Sequence, residues 1–104
     1  MKPRREEQKR SVKTAVAWAV QAWQETRQAC IESHADAYDT HKTAKAAYLD
    51  NMPTLDCKQG VREYIACVAW AMQRGIFSTQ ESRNLLYAAQ LSMAGFRGEK
   101  ENAK

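Results

Sequence analysis

The chain has 104 residues, of which 44% are hydrophobic and 27% charged, and its formal net charge is +4 at pH 7. These values are ordinary for a single globular domain and exclude a disordered chain. Three widely spaced cysteines argue against a disulfide scaffold, and no stretch approaches the roughly 20 apolar residues of a membrane span, so we expect a cytoplasmic location.

The first predicted element is a long helix. Neither Gly nor Pro occurs between Pro3 and Pro53, so a helix can run from about Glu6 to Tyr48. A break is most expected between residues 25 and 43, where the apolar spacing loosens and side chains such as that of Asp36 compete for backbone hydrogen bonds. We favour one long helix, bent if necessary, over two separate helices.

Two shorter helices are predicted after Pro53, which stops the first one. Asp56 is expected to cap the second helix with Gln59 as its reciprocal partner, and Gly75 to end it. Ser78 and Glu81 form a second capping box that opens the third helix, which ends at Gly95 and Gly98. Helical spacing predicts an inward-facing stripe on both helices, made of Val61, Tyr64, Ile65, Val68, Met72, Leu85, Leu86, Ala89 and Met93.

The predicted fold class is therefore all-α, with a long N-terminal helix packed against a C-terminal helical hairpin in a three-helix arrangement. Residues 1–104 form a single helical domain in this prediction. It has a flexible basic N-terminal arm at residues 1–10 and a frayed polar C-terminal tail at residues 97–104.

Residues 75–90 carry a resemblance to known proteins. The run Gly75-Ile76-Phe77-Ser78-Thr79-Gln80-Glu81, followed by Leu85-Leu86-Tyr87-Ala88-Ala89-Gln90, resembles the C-terminal hairpin of small bacterial proteins of unknown function. The resemblance implies a bacterial or mobile-element origin and no activity.

The same hairpin outline also suits a helix-turn-helix DNA reader. Gln80, Arg83 and Asn84 lie near the start of the third helix, where base contacts are made. However, the rest of that helix is largely apolar and Glu81 would face phosphates, so we favour a structural hairpin.

A hexapeptide repeat links the two halves of the chain. Val16-Ala17-Trp18-Ala19-Val20-Gln21 recurs as Val68-Ala69-Trp70-Ala71-Met72-Gln73. The copies reflect either duplication of an ancestral helix or two helices that share one packing pattern, in which Ala lets backbones approach and Trp fills the gap. Because the alignment fails outside the six residues, we favour the second interpretation.

Aromatic residues suggest a surface for a second chain. The segment 15–23 is apolar on all sides of its helix, and two further helices would leave part of it uncovered. Trp and Tyr are common at interface hot spots, although a monomeric core with an exposed Trp edge is the alternative. We therefore expect a protein partner or a homodimer, most simply through the first helix, with Trp18, Trp23, Tyr38 and Tyr87 as interface residues.

Candidate chemistry is sparse. Cys30, His34, Tyr38 and His41 would share one face of a continuous helix, but a zinc site needs four ligands, and a half-buried seam is the favoured interpretation. No nucleophile motif or phosphate-binding loop is present. We expect no enzyme activity, cofactor, metal, small-molecule substrate or membrane association.

The basic N-terminus predicts a second kind of contact. Phosphate neutralisation by this arm would give a salt-dependent affinity for nucleic acid, although the arm equally suits a solubilising overhang. The candidate contact residues are Lys2, Arg4, Arg5, Lys9, Arg10 and Lys13.

The sequence thus favours a non-enzymatic bacterial or phage interaction protein that binds a protein or nucleoprotein target. One form of this is a small inhibitor of a bacterial defence complex, of the anti-CRISPR kind, an association that rests on size and missing chemistry alone. The alternative is a nucleic-acid-binding accessory protein that uses the basic arm.

Overall fold

Four helices, and no strand, make up residues 12–102 in the computed structural model: α1 (Val12–Glu32), α2 (Ala37–Asp50), α3 (Lys58–Gln73) and α4 (Thr79–Asn102). The structure describes the backbone of these residues and the side chains of residues 12–96. The fold is all-α as predicted, but it has four helices where three were expected. The predicted arm at residues 1–10 lies outside the described residues.

The prediction of one long N-terminal helix is wrong, because the chain turns between α1 and α2. His34 adopts φ 63°, the left-handed conformation that ends many helices. Its N–H donates to the Ile31 carbonyl at 3.1 Å, and the Ala35 N–H donates to the Cys30 carbonyl at 3.0 Å, which is a Schellman motif. Asp36 then caps α2, since its carboxylate accepts a hydrogen bond of 2.7 Å from a backbone N–H three residues on.

The start of α3 also differs from the prediction. Its N-cap is Cys57, whose Sγ accepts a hydrogen bond from the Gly60 N–H at 3.3 Å. The carboxylate of Asp56, the predicted cap, instead accepts a hydrogen bond of 2.7 Å from the Thr54 hydroxyl. The helix therefore begins one residue later than the capping pattern indicated.

The turn between α3 and α4 has the features predicted from sequence. Gly75 has φ 74° and follows the last residues of α3. The Ser78 N–H donates to the Glu81 carboxylate at 2.9 Å, and the Glu81 N–H donates to the Ser78 hydroxyl at 3.1 Å, which completes the capping box. Gly95 and Gly98 do not end α4, which continues to Asn102, because an isolated Gly costs a helix only about 1 kcal/mol.

The helices form two antiparallel hairpins that meet along α1 and α3. Helix α1 contacts both α2 and α3, while α3 also contacts α4. Ala19 and Ala71 hold the same position in the two hexapeptides and are both fully buried in the core, where the absence of a large side chain lets the helices approach. Helix α1 continues fourteen residues beyond Trp18, whereas α3 ends three residues beyond Trp70. The two hexapeptides therefore lie at different distances from the ends of their helices, which favours a shared packing pattern over duplication of an ancestral helix.

A column of four aromatic rings crosses this core. Trp23 meets Trp70 edge-on with centroids 6.5 Å apart, Tyr48 stacks on Trp70 at 6.2 Å, and Phe77 meets Tyr48 edge-on at 5.6 Å. Tyr48 is fully buried, and its hydroxyl donates a 2.6 Å hydrogen bond to the Cys67 carbonyl. Burial is the main reason that the pKa of Tyr48 is raised well above its ordinary value of 10.

The predicted inward stripe is only partly inward. Val61, Val68 and Ala89 are fully buried, but Ile65 and Met72 are 37% and 42% exposed, because α3 has helices on some of its sides only. Within the described residues, no helix is long and apolar enough to cross a membrane.

Candidate protein-binding surface

The four predicted interface residues lie at different places on the molecule. Trp18 is half-buried on α1 and Trp23 is half-buried in the aromatic column, whereas Tyr38 is 72% exposed on α2 and Tyr87 is 61% exposed on α4. Trp23, Tyr38 and Tyr87 each line a different surface groove. The structure thus does not bring them together into one patch.

The largest of these three grooves lies between α2 and α4 and has a volume of about 500 Å³. Leu85 and the buried ring of Phe77 form part of its wall. Tyr38 and Leu49 stand on α2 eleven residues apart, so the groove follows about three turns of that helix, and Leu49 is 43% exposed. Tyr38 was predicted from sequence as an interface residue, but the groove was not. The groove requires a break in the chain between α1 and α2, where one continuous helix was predicted.

One ion pair crosses the α2–α4 groove. Lys45 Nζ lies 2.7 Å from the Glu81 carboxylate, whose other oxygen accepts the capping bond from the Ser78 N–H. The hydrogen bond from Lys45, followed by that from Ser78, lowers the pKa of Glu81 to about 2. Glu81 therefore both caps α4 and ties it to α2, and the backbones of these two helices make no close contact over their described residues.

A second groove separates α1 from α2 and has a volume of about 390 Å³. Trp23, Arg27 and Ile31 lie one helical turn apart along its α1 side, and His41 lies on its α2 side. Arg27 is exposed, with its guanidinium carbon 6.0 Å from the centre of the Trp23 ring. His41 also lines the α2–α4 groove, so α2 is flanked by a groove on each side.

The third groove, also about 390 Å³, runs along α4 beside the end of α3. Tyr87, Met72 and Arg83 are among its lining residues, and all three are exposed. Ser82 is buried there, and its hydroxyl makes no hydrogen bond with any described residue. Leu91 follows Tyr87 one turn later and is 56% exposed, so the apolar surface continues along α4.

The residues proposed for DNA reading are partly engaged with one another. The Gln80 side-chain amide donates to the Asn84 side-chain oxygen at 3.0 Å, and Asn84 lines the α2–α4 groove. Arg83 lies in the groove beside α3. Asn84 and Arg83 thus line different grooves.

The predicted metal face does not exist as a helix face. Cys30 is in the last turns of α1, His34 is in the turn, and Tyr38 and His41 are on α2, so the break divides the set. In the described part of the chain, no group of three or more His, Cys, Asp or Glu side chains is arranged to hold a metal ion.

The net positive charge resides at the two ends of the chain. Residues 12–96 contain eight Lys and Arg against eight Asp and Glu, so the excess of +4 comes from residues 1–11 and 97–104. Of the six predicted nucleic-acid contacts, only Lys13 is among the described residues, and it is exposed in the first turn of α1. The other five, Lys2, Arg4, Arg5, Lys9 and Arg10, lie outside the described residues.

Comparisons with known proteins identified no relative of this chain. Neither the protein-family models, nor the curated proteins, nor the solved structures contain a match to this chain. The resemblance of residues 75–90 to small bacterial helical proteins therefore stays a prediction.

Proposed function

We propose that this chain is a non-enzymatic bacterial or phage interaction protein that binds a protein target through the α2–α4 groove. The observation that carries the proposal is the exposed ring of Tyr38 at an apolar groove of about 500 Å³. Tyr anchors many interface hot spots, since its ring offers a large apolar area with a polar tip. Apolar walls with a few charged groups at the rim are typical of a site for a partner segment.

The charge balance of residues 12–96 supports a protein target over a nucleic acid for this groove. Lys45 is already paired with Glu81, which leaves Lys42 as the remaining lysine among the described residues that line the groove. Binding here would bury Tyr38 and Leu49 and would depend little on salt, because apolar contacts are not screened.

An affinity pull-down from nuclease-treated bacterial lysate tests this proposal. We expect the wild-type chain to recover a protein that Tyr38→Ala loses, whereas Tyr87→Ala, which removes an exposed ring from another groove, retains it. Both rings are largely exposed, so neither substitution should unfold the chain. Equal recovery by Tyr38→Ala and the wild type would contradict the proposal.

Inhibition of a bacterial defence complex is one specific form of this function. In a bacterium with an active CRISPR system, expression of the chain would then raise the plating efficiency of a targeted phage, and expression of Tyr38→Ala would not. No change in plating efficiency would remove this form while leaving the protein-binding proposal open to the pull-down.

A homodimer through the first helix is another form of the protein-binding proposal, with fewer sides of that helix available than the sequence suggested. Helix α1 already contacts α2 and α3 in the same chain, so only its remaining side is available to a second copy. Sedimentation equilibrium across a hundredfold range of concentration would measure the mass directly. A constant monomer mass would exclude this form.

The alternative function is nucleic-acid binding by the basic arm, which the concentration of positive charge in residues 1–11 favours. Neutralising about six phosphates would make the logarithm of duplex affinity fall with a slope of about −5 against the logarithm of salt concentration. Replacing the six basic residues from Lys2 to Lys13 with Gln should abolish that dependence. Binding that is insensitive to both salt and these replacements would exclude the alternative.

A further inference from the structure

Among its described lining residues, the groove between α1 and α2 carries positive charge and no carboxylate. Arg27 and His41 are its titratable groups, and the remaining lining is aromatic, aliphatic or small, apart from Thr40. This composition contrasts with the α2–α4 groove, where Glu81 neutralises Lys45. The α1–α2 groove thus has an electrostatic preference for an anionic group.

Arg27 is available to bind that group. Its guanidinium lies over the Trp23 ring, and it makes no ion pair or hydrogen bond with another described residue. A guanidinium carries its N–H donors at its edge, where they match the two oxygens of a carboxylate. A cation–π contact with Trp23 also favours this placement of the side chain, which lessens the rotamer entropy lost when a ligand binds.

Apolar contacts flank Arg27 on both sides. Trp23 precedes it by one turn of α1 and Ile31, 44% exposed, follows it by one turn. An incoming carboxylate at Arg27 would therefore have apolar surface next to it. A ligand that fits this order carries an acidic group beside an aromatic or aliphatic one.

We propose that the α1–α2 groove binds an acidic side chain of a partner protein, with Arg27 receiving the carboxylate and Trp23 and Ile31 contacting an apolar neighbour of that side chain. A protein partner fits better than nucleic acid because Glu32 and Asp36 adjoin lining residues of the groove in the chain. A run of phosphates along the groove would approach these carboxylates, whereas a single carboxylate at Arg27 need not. The proposal does not depend on the α2–α4 groove, since Arg27 does not line it.

Two blocked tetrapeptides test the proposal, acetyl-Ala-Glu-Phe-Ala-amide and its Gln counterpart, which differ only in the charge of one side chain. NMR titration of the labelled protein would follow the Trp23 indole N–H and the Arg27 Nε–H. We expect the Glu peptide to shift both resonances with a Kd on the order of 1 mM, which is reasonable for a small ligand in an open groove. The Gln peptide should bind about tenfold more weakly, because it lacks the charge-assisted hydrogen bonds.

Arg74 supplies a matched control. Its guanidinium lies 5.0 Å from the centre of the Trp70 ring, so it makes the same kind of ring contact, but it does not line the α1–α2 groove. Arg27→Gln should lose binding of the Glu peptide at least tenfold, while Arg74→Gln should retain it. Circular dichroism would check that both variants keep their helices.

Four results with the peptides and the arginine variants would overturn the proposal. These are equal binding of the two peptides, undiminished binding by Arg27→Gln, equal loss in both arginine variants, or no shift with the Glu peptide up to about 10 mM. A ten-residue oligothymidylate provides the nucleic-acid comparison. If it shifts the same two resonances and displaces the Glu peptide, the groove is a nucleic-acid site instead.

Discussion

Replacing Tyr48 with Phe isolates one buried hydrogen bond in the core. The hydroxyl donates to the Cys67 carbonyl at 2.6 Å, and the ring is fully buried, so the substitution leaves the stacking on Trp70 and the edge contact with Phe77 in place. Cys67 lies inside α3, where a carbonyl also accepts a hydrogen bond from the backbone N–H four residues on. The Cys67 carbonyl oxygen therefore keeps a hydrogen-bond donor in the Tyr48→Phe variant.

The expected loss follows from these contacts. A buried hydrogen bond contributes about 1 kcal/mol net, and the full penalty of up to about 3 kcal/mol applies only where the remaining partner is unsatisfied. We expect Tyr48→Phe to lower the free energy of unfolding by about 1 kcal/mol, which corresponds to a fall in Tm of about 4–8 °C for a domain of this size. Removing the ring as well, in Tyr48→Ala, should cost about 4 kcal/mol.

Urea unfolding followed by Trp fluorescence would measure this difference, because Trp70 stacks directly on Tyr48. Tyr64→Phe is the matched control, since Tyr64 is half-buried and its hydroxyl makes no hydrogen bond within the described residues. The control should change stability by less than about 0.5 kcal/mol. A Tyr48→Phe variant as stable as the wild type would refute the reasoning.

Three further predictions concern other parts of the fold. The pKa of Glu81 is lowered from 4.5 to about 2, so its ion pair with Lys45 stabilises the fold above pH 4.5 and ceases to do so as the pH falls toward 2. Because both side chains are partly exposed, the stability gap between the wild type and Glu81→Gln should be under about 1 kcal/mol at pH 7 and should close by pH 2, which urea titrations would measure. Gly60→Ala would place a Cβ against the Thr54 carbonyl oxygen and should destabilise the fold by about 2 kcal/mol in thermal unfolding, whereas an unchanged Tm would show that the turn adjusts freely. Ser82→Ala removes a buried hydroxyl that has no hydrogen-bond partner in the described part of the chain, and it should raise the free energy of unfolding by up to about 1 kcal/mol. A loss of stability would mean that this hydroxyl is satisfied.

The parts of the fold that local chemistry determines could be predicted from the sequence. Ser78 and Glu81 are three residues apart, and each bonds the other's backbone, so the signal and the structure occupy the same four residues. Gly75 likewise ends α3 in a conformation that glycine adopts at little cost.

The break between α1 and α2 shows where this reasoning fails. His34 adopts the same left-handed conformation as Gly75, but a histidine there gives no sequence signal. The packing of α2 against α1 offsets the free-energy cost of this backbone conformation. Asp36 was identified as a residue that competes with the helix, and it is the N-cap of α2. The tendency of Asp36 to bond the backbone is thus visible in the sequence, but the sequence alone does not show that this bond begins a new helix.

The candidate surfaces were predictable as residue types but not as sites. Tyr38 and Tyr87 are exposed rings that composition and helical spacing could identify. The grooves depend on the approach of helices that are far apart in sequence, such as α2 and α4. Arg27, which the sequence reasoning missed, carried one usable signal, namely a cation one turn after a Trp on a helix.

The pairing of neighbouring helices into hairpins has a consequence for how the chain opens. Each hairpin pairs two helices that are adjacent in the chain, and the two hairpins meet at the α1–α3 seam, with the Tyr48 side chain reaching across it from α2. We therefore expect native-state hydrogen exchange to report two cooperative units, with the amides of α1 and α2 opening together and those of α3 and α4 opening separately. Such a division into two units would let one hairpin loosen to admit a partner while the other keeps its structure.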